Sequence, residues 1–182
     1  MSQIIAFFLL LILSPVLILV GIIIRIDSPG PALFWSKRVG KNSILFNMPK
    51  FRTMYSDSPV VATDLLQNTD VHITKIGNIL RRTSLDELPQ LYSILCNQMH
   101  FIGPRPALYN QYDLIDLRKK FGVDCLYPGI TGYAQVIGRD NVSLEDKVSL
   151  DCYYLLNRGI KLDIYILLKT FLVVFSQKNI KH

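Results

Sequence analysis

IIAFFLLLILSPVLILVGIII, residues 4–24, is an unbroken run without a charge. At about 1.5 Å per residue this length just spans the hydrocarbon core of a bilayer as a straight helix. No lysine or arginine precedes the run and no small-residue cleavage site comes after it, which argues against a cleaved signal peptide. The pair Ser14-Pro15 stands at its centre. Pro15 has no N–H to donate and its ring crowds the carbonyl of Leu11, so a kink or break is expected there. The Ser14 hydroxyl can satisfy one of the freed carbonyls. Each arm is then about ten residues, roughly one leaflet deep. Two geometries fit: a helix that enters one leaflet and returns to the same side, or a kinked spanning helix. Both place Arg25, Lys37, Arg38 and Lys41 on the cytoplasmic side.

Beyond the run, the chain of 182 residues suits one domain with a real core. Its formal net charge of +6 suits an anionic partner: nucleic acid, a phosphorylated substrate or the inner-leaflet surface. No zinc-finger spacing, RNP-like aromatic motif or long basic run points to nucleic acid. Cys96, Cys125 and Cys152 are odd in number and lack paired metal spacing, so free thiols in a reducing compartment are expected.

The turn-rich DSPGP leads out of the apolar segment, and ALFWS and SILFN flank KRVGKN. This predicts a short β-hairpin with Gly40 in its loop. If extended, PKFRTM places Lys50 and Arg52 on one face. Ser58-Pro59 predicts a helix through Leu66. Ile73, Ile76 and Leu80 have helical spacing and lead into Arg81 and Arg82. Ser143 and Asp146 open another helix through about Leu156. Residues 162–175, LDIYILLKTFLVVF, form either a core helix or one lying in the membrane interface.

RRTSLDELPQL, residues 81–91, holds Asp86 and Glu87, the only acidic residues between Val71 and Tyr112. Ser84 and Glu87 have capping-box form, while Pro89 draws the helix start later. Leu88, Leu91, Tyr92 and Leu95 are its expected buried side. Acids at a helix start commonly do no more than complement the dipole. The arginines offer a functional reading. Free N–H groups and guanidinium groups bind phosphate, the same field keeps Asp86 ionised, and a carboxylate attacking phosphorus gives a reactive acyl phosphate. An adjacent Glu87 can hold Mg²⁺. GPRPAL, residues 103–108, stiffens Arg105 between two prolines, which suits oxyanion recognition or a solvated turn. PGITGYAQVIGR, residues 128–139, is glycine-rich but matches neither the Walker nor the dinucleotide pattern.

In order along the chain, the Ser14-Pro15 apolar run, SPGPALFWSKRVGKN, KFRTM, RRTSLDELPQL, GPRP, PGITGYAQV and DCYYLLN with LDIYILLKT resemble the bacterial sugar transferases, the monotopic phosphoglycosyl transferase family. The resemblance implies a mainly helical α+β, membrane-monotopic enzyme. Residues 1–24 would form a re-entrant helix-break-helix, and residues 25–182 a small interfacial catalytic domain with the hairpin. It would sit on the cytoplasmic face of the bacterial inner membrane among phospholipids. It would move a sugar-1-phosphate from a UDP-sugar to polyprenyl (undecaprenyl) phosphate, releasing UMP, as the first membrane step of glycoconjugate or polysaccharide assembly. Asp86 would be the nucleophile of a covalent intermediate, Glu87 would hold Mg²⁺, and Arg81 and Arg105 would engage phosphates. Lys50, Arg52, Gln135 and Arg139 fall on motif positions with less defined roles. No nucleic-acid partner is implied, and a homo-oligomer stays open. Ser36 stands where the family commonly has Gln, Ile137 where it has Asn, and Tyr133 where Trp is frequent. A membrane-bound hydrolase using the same aspartate, or a non-catalytic scaffold, are the rival readings.

Overall fold

The computed structural model describes residues 2–58, 69–138 and 142–175. The expected helix after Ser58 and the residue Arg139 lie outside them. The described chain is mainly helical: α1 (Ser2–Asp27), α2 (Thr69–His72), α3 (Lys75–Arg82), α4 (Leu91–Leu95), α5 (Tyr112–Lys120), α6 (Tyr133–Ile137), α7 (Leu144–Asn157) and α8 (Ile160–Phe175). Strands β1 (Leu33–Val39) and β2 (Leu45–Phe51) form the expected antiparallel hairpin, with Ser36 opposite Met48 and Phe34 opposite Lys50. The strands run longer than predicted, through Lys37 and Arg38, and the connection shrinks to a turn in which Asn42 and Ser43 take the left-handed conformation (φ 54° and 60°). A second pair, β3 (His100–Ile102) with β4 (Gly129–Thr131), is parallel and has no counterpart among the expected elements. Its signal is hidden because three-residue strands show no period.

The expected break in the apolar segment does not appear as a loss of helix, since α1 stays helical through Pro15. The reason is local. Ser14 Oγ donates to the Leu11 carbonyl at 2.8 Å, the acceptor that Pro15 leaves without an N–H. Both ends of α1 pack on the same body. Ala6 is fully buried with Phe46, Met48, Leu91, Ile94 and Met99. Val20 and Ile24 are buried with Phe51 and Leu80. Much of the remaining circumference is apolar and exposed, including Phe8, Leu11, Ile12 and Leu19.

Two further clusters complete the core. One joins Val123 and Leu126 to Tyr154 of α7 and Ile166 of α8. The other joins Ala107 to Leu114 of α5 and Val148 of α7. α7 begins as predicted, with Ser143 Oγ accepting from the Asp146 N–H at 3.0 Å. In α8 Ile166 is fully buried, whereas Ile164, Leu168, Phe171 and Leu172 are more than half exposed. This excludes a core helix and leaves an apolar face turned outward.

Candidate active site

Asp86 and Glu87 sit in a six-residue 3-10 turn, Leu85–Gln90, that runs into α4. The expected capping box does not form. Ser84 adopts the left-handed conformation (φ 55°) and its side chain makes no cap bond, so the turn begins by a reversal of the chain and not by a polar cap. The tighter winding also changes the phase of α4, because a 3-10 turn advances more per residue than an α-helix. Leu91, Ser93 and Ile94 face inward, and the expected core positions Tyr92 and Leu95 are exposed.

Three elements deliver cations to the pair. β2 supplies Lys50, whose Nζ donates to Glu87 Oε1 at 2.7 Å. The loop before α5 supplies Arg105, whose Nη2 donates to the same oxygen at 3.2 Å. α3 supplies Arg81. This helix is fastened to the end of β2 through Thr53, whose carbonyl accepts from the Thr74 N–H at 3.0 Å and whose Oγ1 accepts from Arg81 Nε at 2.9 Å. Gly77 makes the fit possible, since a Cβ there would overlap the Thr53 carbonyl.

The electrostatics separate the two carboxylates. Burial pushes Glu87 upward, but the charges of Lys50 and Arg105 and their hydrogen bonds win and hold it at about 2. Burial of Lys50 lowers its pKa against the pull of Glu87. Asp86 behaves differently. It is 9% exposed and receives no hydrogen bond from the described residues. Burial dominates, aided by the Glu87 charge and opposed by Lys50, Arg81 and Arg105, and the carboxyl rises to about 6. The cations do pull Asp86 toward its ionised form as expected, but burial outweighs them, so the carboxyl holds its proton more tightly than in water. At pH 7 to 8 it is still mostly ionised, as a weakly solvated carboxylate.

Other candidates divide. Alternation places Arg52 on the face of Lys50, but its guanidinium is engaged at the exit of α1 and bonds to neither Asp86 nor Glu87. Its Nη2 donates to the Ser28 carbonyl at 2.6 Å and its Nη1 to the Pro29 carbonyl at 2.7 Å. It thus secures the exit of α1, complementing the negative end of that helix. Gly30 (φ 119°) passes so close to the guanidinium that a Cβ would collide with it. Gln135 Nε2 donates to the Ile130 carbonyl at 3.1 Å, and the side chain meets neither carboxylate. Two glycines of the glycine-rich segment serve close backbone packing. Gly129 and Gly132 lie against the Gly103 backbone, where added Cβ atoms would overlap, so they are there to let GPRP approach β4.

Three residues escape a reading of the sequence. Arg38 joins the recess formed with Met48, Lys50, Gln90, Arg105 and Pro106. Arg118 of α5 and Asp151 of α7 form a buried pair held by two hydrogen bonds, with Nη2 and Nε at 2.6 and 2.9 Å from Oδ2. Arg118 Nη1 also donates to the Arg105 carbonyl at 2.8 Å, which fastens the GPRP loop from behind. Nothing local links residues 33 positions apart. The hairpin alternation offers the one available signal, for Arg38, once β1 is extended through it.

Residues 1–177 match the family described as bacterial sugar transferase. A UDP-glucose:undecaprenyl-phosphate glucose-1-phosphate transferase of Escherichia coli (strain K12) is 39% identical over 186 residues, covering 95% of this chain and 38% of that protein. A UDP-N-acetylgalactosamine-undecaprenyl-phosphate N-acetylgalactosaminephosphotransferase of Aeromonas hydrophila is 33% identical, covering 90% of this chain and 40% of that protein. The exopolysaccharide production protein ExoY of Rhizobium meliloti (strain 1021) is 34% identical, covering 88% of this chain and 77% of that protein. The chain therefore spans about two fifths of the first two relatives and most of the third.

Proposed function

The chain belongs to the bacterial sugar transferase family, and from that premise we propose that it transfers a sugar-1-phosphate from a UDP-sugar to polyprenyl (undecaprenyl) phosphate. The observation that carries the reading is a weakly solvated Asp86 set among Lys50, Arg81 and Arg105. An Asp86 oxygen attacks the phosphorus that bears the sugar, the bond to the UMP oxygen breaks, and UMP leaves with that electron pair. A phosphate oxygen of the lipid then attacks the same phosphorus and the aspartate departs, giving polyprenyl-diphosphate sugar. Burial leaves the carboxylate short of solvent, which favours bond formation over hydration. The fixed cations stabilise charge on the transferring group and need no reorganisation.

Glu87 fits a role in holding Mg²⁺. Lys50 and Arg105 both take Oε1, and no donor among the described residues reaches Oε2. Mg²⁺ is commonly held by one or two carboxylates together with waters and substrate phosphates, and the Oε2 of Glu87 offers one such ligand. When bound, Mg²⁺ would neutralise diphosphate charge. Purified protein in nanodiscs with Mg²⁺, a panel of UDP-sugars and polyprenyl phosphate is expected to release UMP and form lipid-linked sugar. EDTA is expected to abolish both, with recovery on adding Mg²⁺. UMP release without lipid product would indicate a hydrolase, and no turnover across the panel a scaffold. Full activity in EDTA would remove the metal from the reading.

The membrane arrangement belongs to the same proposal. A straight helix puts Ala6 and Ile24 about 27 Å apart along its axis, and a spanning helix with its body on one side would leave Ala6 in lipid or beyond it. Burial of both residues against one body supports a helix that enters and leaves on the cytoplasmic face of the inner membrane. The outward apolar face of α8 supports an interfacial position for it. In a background without Cys96, Cys125 and Cys152, Ser2→Cys is expected to react with an impermeant maleimide only after the cytoplasmic side is opened. Labelling of intact spheroplasts would sink the re-entrant arrangement.

A further inference from the structure

Among the described residues, Arg38 is the one cation of the recess whose position no part of the proposed reaction has used. Its backbone is held from both sides. β1 pairs with β2 on one edge, with Arg38 opposite Phe46, and on the other Arg38 bridges to Leu108 while the Val39 N–H donates to the Ala107 carbonyl at 2.9 Å. The side chain is partly buried and aimed by two bonds. Nε donates to Ser36 Oγ at 2.9 Å, and Nη1 donates to the Pro106 carbonyl at 3.1 Å. Both acceptors are neutral. Among the described residues no carboxylate pairs with Arg38, whereas Lys50 and Arg105 both rest on Glu87. Nη2 has no partner among the described residues.

A guanidinium in this position is costly to leave alone. It has lost part of its water, and its neighbour of the same sign, Arg105, repels it. Burial and Arg105 together lower its pKa to about 10, with Glu87 pulling the other way, so it remains charged at neutral pH. Of the three cations that line the recess, Arg38, Lys50 and Arg105, Arg38 alone bonds to no carboxylate among the described residues. Arginine in a fixed orientation with free N–H groups is the side chain best matched to phosphate oxygens.

We infer that Arg38 is a further substrate-binding residue of this site, whose free Nη edge takes a phosphate oxygen of the substrate. The inference rests on the proposed transferase reading. Ser36 has a defined part in it: its hydroxyl accepts from Nε and fixes the plane of the guanidinium.

The test uses the full chain in nanodiscs with two probes, UDP and a short-chain polyprenyl phosphate, titrated separately by calorimetry with Mg²⁺ present. Arg38→Met keeps the stem and removes the charge. It is expected to weaken one probe by roughly 10- to 100-fold. Loss confined to UDP assigns the contact to the donor diphosphate, and loss confined to the lipid assigns it to the acceptor. Ser36→Ala keeps the cation and removes its anchor, and a loss of roughly threefold for the same probe is expected. Arg38→Lys is expected to recover part of the affinity. Unchanged affinity for both probes in folded Arg38→Met, or in folded Arg38→Gln should the former misfold, overturns the inference and leaves the transferase reading standing. An unsubstituted protein that binds neither probe overturns that reading, and the inference with it.

Discussion

Asp86→Asn is expected to abolish sugar-phosphate transfer while raising the melting temperature at pH 8. The loss follows from removal of the attacking oxygen, for which a fall on the order of 10⁴-fold or more in kcat is expected. Intact mass should show a phosphosugar adduct on the unsubstituted protein after incubation with the donor alone, and none on the variant. An adduct that persists in Asp86→Asn would remove Asp86 from the nucleophile's place. The gain follows from burial. Folded Asp86 holds its proton up to about 6, against 3.8 for the free side chain. A raised carboxyl contributes its full stability below pH 3.8 and loses it as pH rises through about 6. Above pH 7 the ionised group thus costs on the order of 3 kcal/mol. Asparagine is neutral throughout, so the variant should melt several degrees higher at pH 8 and close to the unsubstituted protein at pH 4. Activity runs the opposite way. Since attack needs the carboxylate, kcat/KM is expected to fall as pH drops through about 6. A flat profile between pH 5 and 8 would contradict the assignment.

Asp151→Ala is expected to cost about 3–5 kcal/mol, because it leaves the Arg118 guanidinium buried without its counter-ion. Arg118 is 8% exposed and Asp151 1% exposed, so the pair is largely withdrawn from bulk water. Thermal unfolding should shift down by roughly 10 °C or more. Removing both charges together, as Arg118→Met with Asp151→Leu, should return most of the stability, since apolar side chains of similar size fill such sites well. Turnover should not return with it. The Arg105 carbonyl has then lost the Arg118 donor that lies 2.8 Å away, and the loop bearing Arg105 loses its fastening. Equal recovery of stability and turnover would show that Arg118 supports the fold alone.

The legible features are those set by neighbours in the chain. The charge-free run, the hairpin with its turn residues and the Ser143 cap each arise within a few residues, where period and backbone chemistry act directly. The grouping of Asp86, Glu87, Lys50, Arg81 and Arg105 is legible through motif order, and the fold sets the other four close enough to act on the Asp86 charge. Arg52 is held by Ser28 and Pro29, more than twenty positions away, and no local pattern in the chain announces that contact. The inward face of α4 is misread because a left-handed Ser84 and a 3-10 turn shift the phase. Neither is visible as a period.

Local chain chemistry alone dictates which segments are apolar, where the chain turns, and that two adjacent acids sit amid basic residues. Packing in three dimensions is what holds Glu87 low while Asp86 is pushed up, and what carries Arg118 to Asp151. It also presses Ala6 and Ile24 onto one body, and sets Arg38 in the recess with no carboxylate partner among the described residues. One cause underlies all four. Desolvation and charge are summed over everything packed within a few ångströms, and that company comes from segments far apart in the chain.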